Sequence, residues 1–330
     1  MRTRGVTFFN GSEIYHIMFT KPALTIDQQI DLLIGRGMEI PNRNIARQYL
    51  SHINYYRLRA YWLPFEIEPV AGKHLFHIHT TFENVITLYA FDRELRLLLL
   101  DAIERMEISL RTQWASVLAL KYGPFAHEDT TLFKNQFTWQ NGYDDLIKEY
   151  TRSSETFAGH YRTKYSYLNS PPIWVACEMM MLGQLSRWLQ NLKLPKDRQT
   201  IANAYKLDEK ILISFLHYLT IVRNHCAHHG RIWNRKFGLK MRLPYKPNYL
   251  AETLNPKEDR RIYNTLTMMA YLFNHFNPDS SWSTRVINLI KNHPQVNLAD
   301  MGFPQNWKQR PIWLEITSKI DSHPSILESV

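Results

Sequence analysis

The chain is poor in cysteine: two in 330 residues, Cys177 and Cys226, too few for a disulfide framework and suited to a reducing cytoplasm. No Cys-x2-Cys pair exists, which removes the commonest zinc-finger spacing. Glycine is sparse too, at 12 residues, and no Gly/Ser linker, low-complexity tract or fixed-period repeat breaks the chain. Long apolar runs are missing. The most apolar, Leu97 to Leu100, sits between Arg96 and Asp101, far short of the ~20 residues of a membrane span, so no membrane partner is expected. The basic Met1-Arg2-Thr3-Arg4 precedes a stretch broken by Asn10, Ser12, Glu13 and His16 with no small-residue cleavage site, so no signal peptide is expected. Acidic charge is the scarcer sign, 30 Asp and Glu against 40 Lys and Arg. The resulting net charge of +10 favours polyanionic partners, nucleic acid first.

What is present is a folded composition, 45% hydrophobic and 21% charged, with enough length to bury a large core. Thr25 reads as the N-cap of a short helix over 25–37 with Ile26, Ile30, Leu33 and Ile34 on its apolar face. A second helix is expected from Asn42 to Tyr61, and residues 63–80 hold the one hairpin the pattern allows. The strongest helix is 82–121, where Phe91, Leu95, Leu98, Ala102, Met106, Leu110, Trp114 and Val117 form one stripe that Gly123-Pro124 ends. Asp92, Arg93 and Arg96, with Glu104, Arg105 and Arg111, read as salt-bridge partners on its solvated face. One of them could instead line a cleft facing His228.

Beyond a turn-rich 124–170, Pro171-Pro172 opens a helix to about Leu192, and Pro195 prevents its continuation. Met179 to Met181, with Trp174 and Trp188, read as core or dimer packing. A short helix near 196–206 precedes a longer one, Asp208 to His229, with Gly230 as its C-cap glycine. Residues 231–256 are irregular and basic, and further helices are expected over 257–276 and 283–292. The fold class expected is all-α, with at most a minor β-hairpin.

Arg223-Asn224-His225-Cys226-Ala227-His228-His229 closes the 208–229 helix. Residues four apart share a helix face, which makes Asn224 and His228 neighbours; Arg223 lies about 140° from His228 but can curl toward it. Scission of RNA by its own 2′-hydroxyl needs a proton acceptor, a proton donor and positive charge on the phosphorane. Histidine serves either proton role, arginine offers a fork matched to phosphate oxygens, and asparagine orients. One helix supplies one histidine, so a homodimer joining two copies is the natural expectation. A surface arginine beside a helix-terminal histidine favoured by the macrodipole remains the bland alternative. His217, His225, Cys226, His228 and His229 also crowd together, with His225 and His229 at metal-ligand spacing. Packing or capping is preferred there, and neither metal nor cofactor is expected.

Tyr55, Tyr56 and Tyr61 interleave with Arg57 and Arg59, either as an RNA-stacking surface or as core tyrosines with wet hydroxyls. Arg231 and Arg235 follow the motif directly and are further RNA-contact candidates.

Ordered blocks carry a resemblance. Lys21-Pro22-Ala23-Leu24-Thr25 is followed by Ile53-Asn54-Tyr55-Tyr56-Arg57-Leu58, then Leu88-Tyr89-Ala90-Phe91-Asp92-Arg93-Glu94-Leu95-Arg96 and Asp101-Ala102-Ile103-Glu104-Arg105. Lys121-Tyr122-Gly123-Pro124, Pro171-Pro172-Ile173-Trp174, Gly183-Gln184-Leu185-Ser186 and Arg223 to His229 with Arg231-Ile232-Trp233-Asn234-Arg235 complete the set. In these the chain resembles the Abi family of abortive-infection proteins of the AbiD/AbiF type, within the HEPN superfamily. Met180-Met181-Leu182 departs from the family's more usual small-aromatic pair.

The resemblance implies a HEPN-type helical bundle with decorations, built on core helices near 82–121, 171–192, 208–229 and 257–276. It implies an N-terminal extension over 1–20, a helical domain over 21–277 and a C-terminal segment over 278–330 packed on it. It further implies a metal-independent endoribonuclease toxin of phage defence or a toxin–antitoxin system, dimeric, acting through Arg223, Asn224 and His228 and restrained by a small noncoding RNA. The alternative is a catalytically silent HEPN protein that binds RNA as scaffold or sensor. A weaker one is a regulator that sequesters a host protein.

Overall fold

A computed structural model of the chain describes residues 22–67 and 74–322. It is all-α, with fourteen α-helices and no strand among the described residues. The chain forms two compact units that divide between Tyr89 and Ala90. The extension expected over 1–20, Lys21, and the chain beyond 322 lie outside the described residues.

In the first unit, α1 (Ile26–Gly35) packs against α2 (Arg43–His52). The α1 start is a reciprocal cap: Gln28 N–H donates to Thr25 Oγ1 at 3.3 Å and Thr25 N–H to Gln28 Oε1 at 2.8 Å. The helix expected from Asn42 to Tyr61 is two helices. Ile53 is extended, and Asn54 Oδ1 accepts the Tyr56 N–H at 2.8 Å to start α3 (Tyr55–Trp62) afresh. Of the expected hairpin the described residues show one antiparallel bridge, Glu66 with Phe76, flanked by Ile67 N–H to Leu75 O at 2.8 Å; residues 68–73 lie outside the described residues.

The helix α4 (Phe82–Tyr122) begins in this unit and continues into the second, ending at left-handed Gly123. Phe91, Leu95, Leu98, Ala102, Met106, Leu110 and Trp114 are buried as the periodicity requires. After it come α5 (Gln136–Arg152), α6 (Thr156–Lys164), α7 (Ile173–Ala176), α8 (Leu182–Asn191), α9 (Pro195–Asn203) and α10 (Glu209–Ala227). The last four are α11 (Asn248–Thr253), α12 (Tyr263–Phe276), α13 (Trp282–Asn292) and α14 (Pro311–Ser322). The α8 helix packs on α5 and α10, and α9 also lies on α10. Residues 263–273 of α12 are buried all round, as in the centre of a bundle, and α14 packs on α11, α12 and α13.

The helix expected from Pro171 to Leu192 is interrupted at Met180 and Met181, both extended. Arg111 is the cause. Its Nε and Nη2 donate to the Met180 carbonyl at 3.1 and 2.7 Å while Glu107 and Glu178 neutralise its charge, so the carbonyl loses nothing by leaving the helix. Gln184 then restarts the chain as α8, its Oε1 accepting the Met181 N–H at 2.8 Å. Met180 and Trp188 are core, whereas Trp174 and Met181 are exposed.

Before α5, His127 is fully buried with Nε2 3.0 Å from Ser170 Oγ, and burial lowers its pKa to about 4. A folded-state pKa below the unfolded one means that the unfolded chain binds the extra proton. Its contribution is therefore complete above pH ~6.5 and is lost as pH falls toward about 4. Chemical denaturation across that window should show up to about 3 kcal/mol of pH-dependent stability that His127→Gln removes.

Candidate functional site

The motif depends on how α10 begins and ends. Asp208 caps it by accepting the Lys210 N–H at 2.8 Å, and Ile211, Leu212, Phe215, Leu216, Leu219, Val222 and Cys226 bury one side of it. This apolar side fixes the opposite stripe outward. The helix ends at Ala227, two residues short of expectation, and its C-cap residue is His228. Left-handed backbone belongs to His229 (φ 57°) and not to Gly230. The closure is a Schellman pair, Gly230 N–H to His225 O at 2.7 Å and His229 N–H to Cys226 O at 3.0 Å. Glycine one position later relieves crowding, since a Cβ on Gly230 would lie 3.2 Å from His225 O and 3.3 Å from its Nδ1. Histidine is among the residues that tolerate the left-handed region.

Two hydrogen bonds link the motif residues. Arg223 Nη1 donates to Asn224 Oδ1 at 3.3 Å, a contact between sequence neighbours. His228 remains tied to Asn224 through its N–H to the Asn224 carbonyl at 3.0 Å. Asn224 and His228 are exposed and Arg223 half-buried, which leaves this face open to a large ligand or to another chain. His225, by contrast, packs edge-on against Phe237 with centroids 5.7 Å apart. Burial, then Arg235, then His228 lower its pKa, in keeping with a packing role.

Two residues expected on a solvated face of α4 prove central. Asp92 and Arg96 are buried and ion-paired to each other. Asp92 Oδ1 also accepts the N–H of Ile232 at 2.9 Å and of Trp233 at 2.6 Å, clamping the loop that follows the motif. The same carboxylate helps burial push the Cys226 thiol up to about 12, so that thiol is inert. Other charges on α4 do pair as the spacing predicts, Arg105 with Asp101 at 3.0 Å, while Asp101 also takes Arg285 at 2.7 Å.

The loop folds back on itself. Arg231 Nη2 donates to Asn234 O at 3.4 Å and its guanidinium lies 6.0 Å from the Trp233 ring; Arg235 Nε donates to Arg231 O. Arg261 Nη1 anchors the loop through Asn234 Oδ1 at 3.0 Å. Arg231 and Arg235 are thus half-buried next to the motif with their charges oriented by backbone carbonyls. Arg57 and Arg59 belong to the first unit, on α3. Arg59 approaches His74 at 3.5 Å and, with Arg36, Tyr55 and Tyr56, lines a hollow of about 790 Å³ there. Tyr55 packs edge-on to buried Trp62 at 4.8 Å, and Tyr56 is exposed.

Among the described residues no group of three His, Cys, Asp or Glu side chains could hold a metal ion, and no helix is long and apolar enough to cross a membrane. A family model described as Abi-like protein matches residues 48–234, a span that opens in α2 and closes just past the motif. No curated protein and no solved structure matches the chain.

Proposed function

The chain belongs to the Abi-like family, which points to phage defence by abortive infection, and from that premise we propose that it is a metal-independent endoribonuclease of HEPN type. The observation that carries the reading is the joining of Arg223 to Asn224 one turn from an exposed His228, on a helix end held by a clamped loop. In the reaction the 2′-oxygen attacks phosphorus as its proton passes to an imidazole. The P–O5′ bond breaks as a second imidazole protonates the leaving oxygen, and Arg223 takes the phosphorane charge. One chain offers one His228, so a homodimer supplies the second imidazole across the open face. A small noncoding RNA covering the same face would restrain the enzyme in a toxin–antitoxin arrangement.

The test is purified protein incubated with single-stranded RNA in chelator, with sequencing of the ends. New 2′,3′-cyclic phosphate and 5′-hydroxyl ends support the reading. Intact RNA bound in a salt-dependent way moves the assignment to the silent RNA-binding scaffold, for which the basic surface would suffice.

A further inference from the structure

The exposed stripe of α10 does not stop at the motif. Lys210, Ser214, His217, Ile221, Asn224 and His228 recur at intervals of three and four and so share one side of the helix. The basic chain after the motif runs back along that helix. Phe237 packs on His225 and then on Tyr218, and Arg242 N–H donates to Ser214 Oγ at 2.7 Å. Lys240 and Arg242 thereby form one wall of a cleft of about 500 Å³ whose floor is Lys210, Ser214 and His217 and whose far wall includes Lys134 and Arg198. Arg198 is paired with Glu209 at 2.7 Å and Lys240 with Asp259 at 3.0 Å. Lys134, Lys210 and Arg242 are exposed and have no carboxylate partner among the described residues. Arg242 also borders a second hollow, lined by Lys206, Lys246 and Tyr245, and Tyr245 stands 91% exposed there.

We propose that this cleft is an RNA-strand exosite, in which Lys134, Lys210 and Arg242 hold backbone phosphates and Tyr245 stacks a base. It rests on the ribonuclease reading for its occupant, because the stripe leads from Lys210 to His228. At 1.5 Å per residue the two are about 27 Å apart along α10, a span on the scale of a single-strand site of about four nucleotides or more. Three cations with no carboxylate partner among the described residues, lining an open groove whose neighbouring hollow holds an exposed tyrosine, suit a flexible polyanion with stackable bases. The exosite would bind substrate at a distance from the scissile phosphate and select strands over dinucleotides.

The experiment is fluorescence anisotropy of a 12-nucleotide single-stranded RNA with full-length His228→Ala protein across a salt series, repeated with Lys210→Gln/Arg242→Gln added. The double change should weaken binding about tenfold at 0.15 M salt and flatten the log–log salt slope by about 1.4, at unchanged melting temperature. Tyr245→Ala should weaken binding without altering the slope, and Lys291→Gln, outside the cleft, should do neither. Unchanged affinity and slope in the double variant, with RNA still bound, would overturn the exosite and leave the ribonuclease reading standing. No RNA binding by any form would overturn both. A normal slope change with no cleavage by wild type would retain the groove and remove only the nuclease.

Discussion

Replacing His228 by alanine should abolish RNA cleavage, lowering the rate by about 10²–10⁴-fold, while leaving the melting temperature within a degree or so of wild type. Both expectations come from its position. His228 is exposed, lies outside the last helical turn, and contributes to the helix end through its backbone, which alanine retains. Arg223→Lys should lose about 10²-fold or more if Arg223 takes the phosphorane charge as proposed, because an ammonium cannot reproduce a fork that bonds Asn224 and a phosphate together. Induced in bacteria at matched soluble expression, wild type should arrest growth and create new RNA ends, and His228→Ala should do neither. Equal arrest by the two proteins would remove the motif from the mechanism.

The largest effect on stability is expected at Asp92. Alanine there removes the carboxylate paired with the buried Arg96 guanidinium and takes the Asp92 acceptor from the Ile232 and Trp233 N–H groups. Unpairing a buried ion pair costs about 3–5 kcal/mol. For a unit of this size that corresponds to a melting temperature lower by roughly 10 °C. Removing both charges, as Asp92→Leu/Arg96→Met, should recover much of that loss, since no charge is then left buried alone. The loop after the motif would still lack its Asp92 clamp. RNA cleavage by the double variant should therefore remain impaired although the protein melts near wild type, and full activity at restored stability would show that the clamp serves the fold alone.

The two predictions mark what a reader of the chain could and could not see. The one-turn relation of Asn224 and His228 was legible because it is a local object, governed by the residues-per-turn rule. Asp92 was also written in the pattern. Positions 92, 96, 99 and 103 recur at helical spacing, and Leu99 and Ile103 on that line are buried. Two charges four apart read just as readily as a solvated ion pair, and nothing local separates the two cases. The partners that bury them, the N–H groups of Ile232 and Trp233, lie 140 and 141 residues away.

The interruptions were hidden for different reasons. At Asn54 the signal was local and present, a side chain able to cap, but the apolar rhythm continued through it. At Met180 it was not local, since the carbonyl acceptor is satisfied by Arg111 from another helix. The cleft beside α10 required both scales. Its lysines and arginines were visible as a basic, irregular stretch, but only the return of that stretch along α10, fixed by Phe237 and the Arg242–Ser214 bond, turns it into a wall.

By itself the sequence determined the helical class, the buried stripe of α4, the end of that helix at Gly123 and the one-turn relation of Asn224 and His228. All of these follow from periodicity and capping within a few residues. Tertiary structure alone decided that Asp92 and Arg96 are buried, that Met180 leaves the helix, and that the basic stretch faces the same side as the motif. Each of those depends on a hydrogen-bond or packing partner supplied from far along the chain, and a backbone or charge group goes where its polar requirements are met.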